Sequence, residues 1–219
     1  MATSYENFFS WVLPEVAGCP EITAIQSIRD SVIQFCELTL IHQVDHDPIS
    51  VIARNSDYDL ETPVTGTRIV KVMKAFYKGS ELTAAAPDSV RDPAVYNRSI
   101  GGYTPSYQTP VAFFQKDTAT ISLVPIPDQT VANAITMRVA LVPTRSSTTC
   151  EDFIFEQWVE PIAAGAVARL QISSGKPYSN TQAAGANQAR FLAGVNLARS
   201  RAVRGFNRSS LRVQLRGNP

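Results

Sequence analysis

The chain has 219 residues, 44% hydrophobic and 18% charged, with a formal net charge of +1. That length buries a core without disulfides or metal, and that composition excludes a disordered protein. No apolar run reaches the roughly 18 residues of a membrane span, and the start MATSYENFF has neither the basic residues nor the apolar run of a secretory leader, so a protein that stays in the cytoplasm and takes no membrane partner is expected.

Thr3 and Glu6 have the spacing of a capping box, which predicts a short helix over 4–13 that stops before Pro14. After Cys19-Pro20, residues 21–42 carry Ile22, Ile25, Ile28, Val32, Phe35, Cys36 and Leu40 at helical spacing, an amphipathic helix. Past Asp47-Pro48 the pattern turns to strands. Residues 49–53, 67–78, 111–115, 119–126 and 134–142 are β-branched or alternating, and Thr62-Pro63, Gly66, Gly79-Ser80 and 125–128 mark turns between them. The stretch 84–110, rich in Pro, Gly and Ser with Tyr96, Tyr103 and Tyr107, reads either as a binding loop or as a surface loop packed on its own domain.

Helix returns over 150–172, with Glu151, Asp152 and Glu156 at its start as the helix dipole favours. Phe153, Trp158, Ile162, Val167 and Leu170 form its apolar face, and Ala163, Ala164, Gly165 and Ala166 leave room for a second helix. SSGKP at 173–177 ends it. A last, Ala-rich helix runs over 181–203 with Phe191, Leu192, Val195 and Leu197 as its larger apolar residues. The expected fold class is α+β: terminal helices forming a bundle, with an inserted antiparallel, sandwich-like β-domain. The segments are 1–47 (N-terminal helices), 48–143 (β-domain), 144–204 (C-terminal helices) and 205–219 (basic tail).

Little in the chain points to catalysis. His42, Asp45, His46 and Asp47 are the one cluster with a metal-like look, but the Glu of HExxH is missing, no other His exists, and Asp47-Pro48 breaks the helix that would align them. A polar helix end is expected there, with no metal. No GxSxG elbow and no GxxxxGK[ST] loop occurs. The three widely spaced cysteines, Cys19, Cys36 and Cys150, form no CxxC and read as buried free thiols. No enzyme activity and no cofactor are expected.

Charge is the sharper signal. Residues 1–160 hold 11 Lys+Arg against 19 Asp+Glu, and residues 161–219 hold 9 Lys+Arg and no acid. Such a split fits head-to-tail contact between copies, an acidic face meeting a basic one. Arg199, Arg201, Arg204, Arg208, Arg212 and Arg216 follow one another at short spacing. Three readings of them stay open: insertion into an acidic groove of a protein partner, non-specific contact with DNA, and a solvated end. No RNP motif, zinc finger or helix-turn-helix signature accompanies them.

The run GAVARLQISSGKPYSN (165–180), followed by Ala183, Arg190-Phe191, Gly194 and Ala198-Arg199, resembles the head-to-tail adaptors (connector, or tail tubular protein A-like, subunits) of short-tailed bacteriophages. The strands LVPIPD (123–128) and ITMRVALVPT (135–144) are similar to the β-domain of that family; the resemblance covers about 120–205. It implies a structural virion protein assembled in the host cytoplasm. It implies a homo-oligomeric ring, usually twelve-fold, in the neck between capsid and tail. The portal protein, the tail nozzle protein and passing genomic DNA, held without sequence specificity, are the implied partners. Portal docking would fall to 199–219, hence to Arg199, Arg201, Arg204, Arg208, Arg212 and Arg216. The alternatives are another phage neck or tail structural protein, a non-specific DNA-associated packaging protein, or a small hydrolase using His42 and His46.

Overall fold

A computed structural model describes residues 2–86 and 107–204. In chain order the first elements are β1 (Ala2–Ser4), α1 (Phe9–Val12) and α2 (Glu21–Thr39), with 3-10 turns at Tyr5–Phe8 and Leu13–Glu15. Eight strands follow: β2 (Gln43–Val51), β3 (Asp57–Asp59), β4 (Thr67–Tyr77), β5 (Ser80–Glu81), β6 (Thr83–Ala84), β7 (Ala112–Gln115), β8 (Thr120–Val124) and β9 (Val131–Pro143). β10 (Thr149–Glu151), α3 (Asp152–Gln171) and α4 (Thr181–Arg204) are the last described elements. The protein is α+β. It divides into a helical unit, residues up to Ile41 together with those from Thr148 onward, and a β-unit, His42–Ser147.

In the helical unit, β1 pairs antiparallel with β10, which sets the chain's first residues beside the start of α3. Thr3 does not cap the first helix as its spacing predicts. It lies in β1, and its hydroxyl donates to Asp152 Oδ1 at 2.6 Å. Ser4 takes the cap, accepting from the Glu6 N–H at 3.4 Å. The expected helix over 4–13 is broken into two 3-10 turns around a four-residue α1. α2 stops at Thr39, short of 42, because Leu40 turns left-handed (φ 51°) as its N–H bonds back to Cys36.

The face that α2 turns to α3 includes two small polar residues beside Phe35. Ser27 Oγ donates to the Ala166 carbonyl at 2.9 Å, and Ser31 Oγ to the Ile162 carbonyl at 2.8 Å. Both serines are buried, and the bonds offset the cost of taking their hydroxyls out of water. Ile22, expected on the apolar stripe, is instead 74% exposed. α3 bends at Trp158 (φ −132°, ψ 15°), three residues before Pro161, whose ring nitrogen has no hydrogen to donate into the ladder. Against α3 lies α4, with Phe191 and Val195 buried while Leu192 and Leu197 face outward. Phe35 ties the helices together through ring contacts to Trp158 at 5.5 Å and Phe191 at 6.2 Å.

The β-unit holds two four-stranded sheets, in the orders β2-β9-β4-β5 and β3-β8-β7-β6. All pairings are antiparallel except β6 with β7. One apolar core joins them: Ile69, Val72, Ile135 and Leu141 from the first, Tyr58, Phe113, Ile121 and Leu123 from the second. Gln115 of β7 reaches the stretch of β4 that β5 does not cover. Its Oε1 accepts from Val72 N–H at 2.9 Å and its Nε2 donates to the Val70 carbonyl at 3.4 Å. On the second sheet, the Asp57 carboxylate accepts from the buried Ser122 hydroxyl at 2.6 Å and pairs with Lys116 at 3.3 Å. Burial pushes that carboxyl up, but the bonds from Ser122, Lys116 and Ser56 outweigh it and hold it below its ordinary value.

Candidate interaction site

The histidine cluster is not a helix end. His42 opens the β-unit and His46 lies within β2, and both are buried. On a strand, positions four apart share a face but sit about 13 Å from each other, too far for both rings to hold one ion. Burial lowers the His42 pKa to about 4. His46 Nδ1 lies 2.6 Å from the Asp47 carbonyl, so that nitrogen carries the proton and donates. Asp45 turns away from the pair to Arg138 directly across the β2–β9 ladder, at 2.9 Å. That bond, with the arginine charge, holds the Asp45 carboxyl low. Among the described residues no group of three His, Cys, Asp or Glu is placed to hold a metal.

A concave feature of the helical unit is a groove of about 670 Å³ between α3 and α4, closed at one side by Trp11 and the turn at Glu15. Three things build it. The bend at Trp158 displaces the first turns of α3. Pro161 seats against Gly194, where any side chain would collide with the proline ring. Ala163, Ala164 and Ala193 keep its floor shallow. Exposed apolar surface comes from Trp11 (46% exposed) and Leu197 (57%). Among the described residues that line it, Glu15, Glu156 and Glu160 stand against a single base, Arg190, whose Nη1 donates to Asn187 Oδ1 at 3.4 Å. None of the three carboxylates forms an ion pair with a described side chain. An acidic rim over an apolar floor suits a segment that brings both arginine and aliphatic side chains.

The arginines divide between described and undescribed regions. Arg199 is exposed on α4. Arg201 folds back over the Trp158 ring, its Cζ 5.2 Å from the ring centroid and its Nη1 3.5 Å from Gln157 Oε1. Trp158 is thus sandwiched between Arg201 and Phe35, and its buried Nε1 has no hydrogen-bond partner among the described residues. Arg204 sits in the last turn of α4. Arg208, Arg212 and Arg216 lie outside the described residues. So do Tyr96 and Tyr103, whereas Tyr107 is described: it bridges to Ile126 and stacks beneath Arg54, 5.4 Å from its guanidinium carbon.

Sequence reasoning misses the groove. Pro161 inside a helical pattern is the signal that was there to read, since an interior proline bends a helix and frees a carbonyl on one side. Trp11 and Glu15 lie about 140 positions away in sequence and join the site only through tertiary packing. A scan against protein-family models and a search of curated proteins both find no match.

Proposed function

We propose that the chain is a non-enzymatic structural protein of a virus particle, the head-to-tail adaptor subunit of a short-tailed bacteriophage. In this reading the helices form a bundle carrying an inserted, sandwich-like β-domain. Copies assemble as a twelve-fold ring in the neck, bound to the portal on one side and the tail nozzle on the other, with DNA passing through the centre. The observation that carries it is the run from the small-residue helix through Lys176-Pro177-Tyr178 into an Ala-rich helix with a central phenylalanine. α3 and α4 have that form, with Gly165 at the helix contact, Phe191 fully buried and Arg199 exposed.

Two further features support assembly. The helical unit leaves Ile22, Ile172, Leu197 and Val203 more than half exposed, apolar surface that a subunit covers by meeting another chain. Opposite charges at the two ends of the sequence suit a ring, where one surface meets a different one on the next copy. A reconstruction of the parent particle's neck tests the reading. This chain is expected between portal and tail, with residues 199–219 against the portal; purified particles that lack the chain overturn it.

The acid-free arginine series favours one second reading, a non-specific DNA-associated packaging protein. Its signature is DNA affinity that falls steeply with salt and is lost in step with each arginine removed.

A further inference from the structure

We infer that the groove between α3 and α4 is the docking site for the C-terminal segment of the same chain, residues 206–216. The inference is independent of the adaptor reading, since it rests on the groove and on the sequence that follows α4.

Position comes first. The final turns of α4 run along the groove: Leu197 lines it, and Arg201 touches Trp158 and Gln157, which also line it. The described part of α4 reaches Arg204, one turn further on. From Arg201 back to Arg190 the groove wall spans about 17 Å of helix. Fifteen residues follow Arg204, enough to reach roughly 50 Å when extended, so the segment can turn at Gly205 and lie along the whole groove.

Chemistry comes second. The segment 206–216 reads FNRSSLRVQLR and contains no acid. From 211 to 216 it alternates Leu, Arg, Val, Gln, Leu, Arg. In an extended backbone Leu211, Val213 and Leu215 share one side and Arg212, Gln214 and Arg216 the other. The groove offers the complement: Trp11, Pro161 and Leu197 for the aliphatic side, and at the rim, for the arginines, the carboxylates of Glu15, Glu156 and Glu160, which form no ion pair among the described residues. Short tethering raises the effective concentration of the segment to the millimolar range, so even weak complementarity favours the chain's own tail over a free partner. Docking in this way keeps Arg208, Arg212 and Arg216 out of reach of other acidic surfaces until a partner displaces the segment.

Carbodiimide crosslinking of the full chain tests this. Arg212→Lys keeps the charge and supplies an amine to couple to carboxylates. A 1:1 mixture of isotopically light and heavy copies distinguishes links within one chain from links between two. The expected result is Lys-to-Glu coupling at Glu156, Glu160 or Glu15 in peptides of a single isotope. It is expected to fall several-fold when Leu211→Ser and Leu215→Ser are added, which leave every charge in place. Mixed-isotope links assign the groove to a second copy and overturn the inference. Links spread over acids such as Glu21 and Glu61, or insensitivity to the two serine substitutions, overturn it as well.

Discussion

Gly194 lies directly against the ring of Pro161, so that a methyl group at position 194 would occupy space the proline already fills. The residue that bends α3 is therefore the one that fixes how closely α4 approaches. Gly194→Ala is expected to destabilise the helical unit by about 1–3 kcal/mol, the usual cost of overpacking. Gly185, on the same helix, meets nothing within 4 Å. Gly185→Ala is expected to stabilise by about 0.5–1 kcal/mol through helix propensity alone. Both tryptophans, Trp11 and Trp158, belong to the helical unit, so tryptophan fluorescence in a urea titration reads it selectively. Shifts of the same sign for the two variants would refute the packing argument.

His42 supplies a pH signature. Its folded pKa of about 4 lies below the ordinary value of 6.5 because burial disfavours the charged ring. On acidification the unfolded chain takes up the proton first. The contribution to stability is complete above pH 6.5 and is lost as pH falls toward 4, on the order of 2 kcal/mol between pH 7 and pH 5. In His42→Gln that slope is expected to flatten, as calorimetry at the two pH values would reveal. Asp45 and Asp57, with depressed carboxyl pKa values, lose their contributions at still lower pH, below the normal carboxylate range.

The thiols should differ in reactivity. Burial pushes Cys36 far up and Cys150 up to about 12, so neither supplies thiolate near neutral pH. Cys19 is partly exposed. A disulfide reagent at pH 8 is expected to modify one cysteine promptly and the other two only after unfolding. Mapping the first adduct to Cys36 or Cys150 would contradict the burial.

Gln115 holds the two sheets together by two bonds from one side chain. Gln115→Met keeps the volume and removes both, leaving the Val72 N–H without that acceptor. A loss of about 1–2 kcal/mol is expected, with faster hydrogen exchange at the Val72 amide as the local readout. Unchanged exchange there would show the bond to be dispensable.

Helices and strands are legible in the sequence where apolar periodicity is long. The stripe of Ile28, Val32, Phe35 and Cys36 places α2, and 134–142 falls within the thirteen residues of β9. Serine is where the reading fails. Ser27 and Ser31 belong to the contact face of α2 and carry no hydrophobic signal, whereas Ile22, which does, is exposed. His42 and His46 mislead for a geometric reason: a separation of four returns to the same face on a helix and on a strand alike. The short strands β3, β5, β6 and β10 are too brief for any period to register. The interaction groove depends on Trp11 meeting α3, a contact that no local pattern encodes.

The pairing of β1 with β10 carries a consequence for biosynthesis. The helical unit is written in two pieces, separated in the chain by the whole of His42–Ser147. As the polypeptide leaves the ribosome, Ala2–Ser4 and α2 emerge with no partner to bury them. They wait until α3 and α4 have been made, after more than a hundred further residues, which takes on the order of 5 to 30 seconds at ordinary elongation rates. Throughout that interval Ile28, Val32 and Phe35 are bare, while the uninterrupted β-unit is free to collapse on its own core. The α2 segment is therefore the part of this protein most in need of a chaperone's shelter, although in the finished fold its Ile28, Val32 and Phe35 are fully buried.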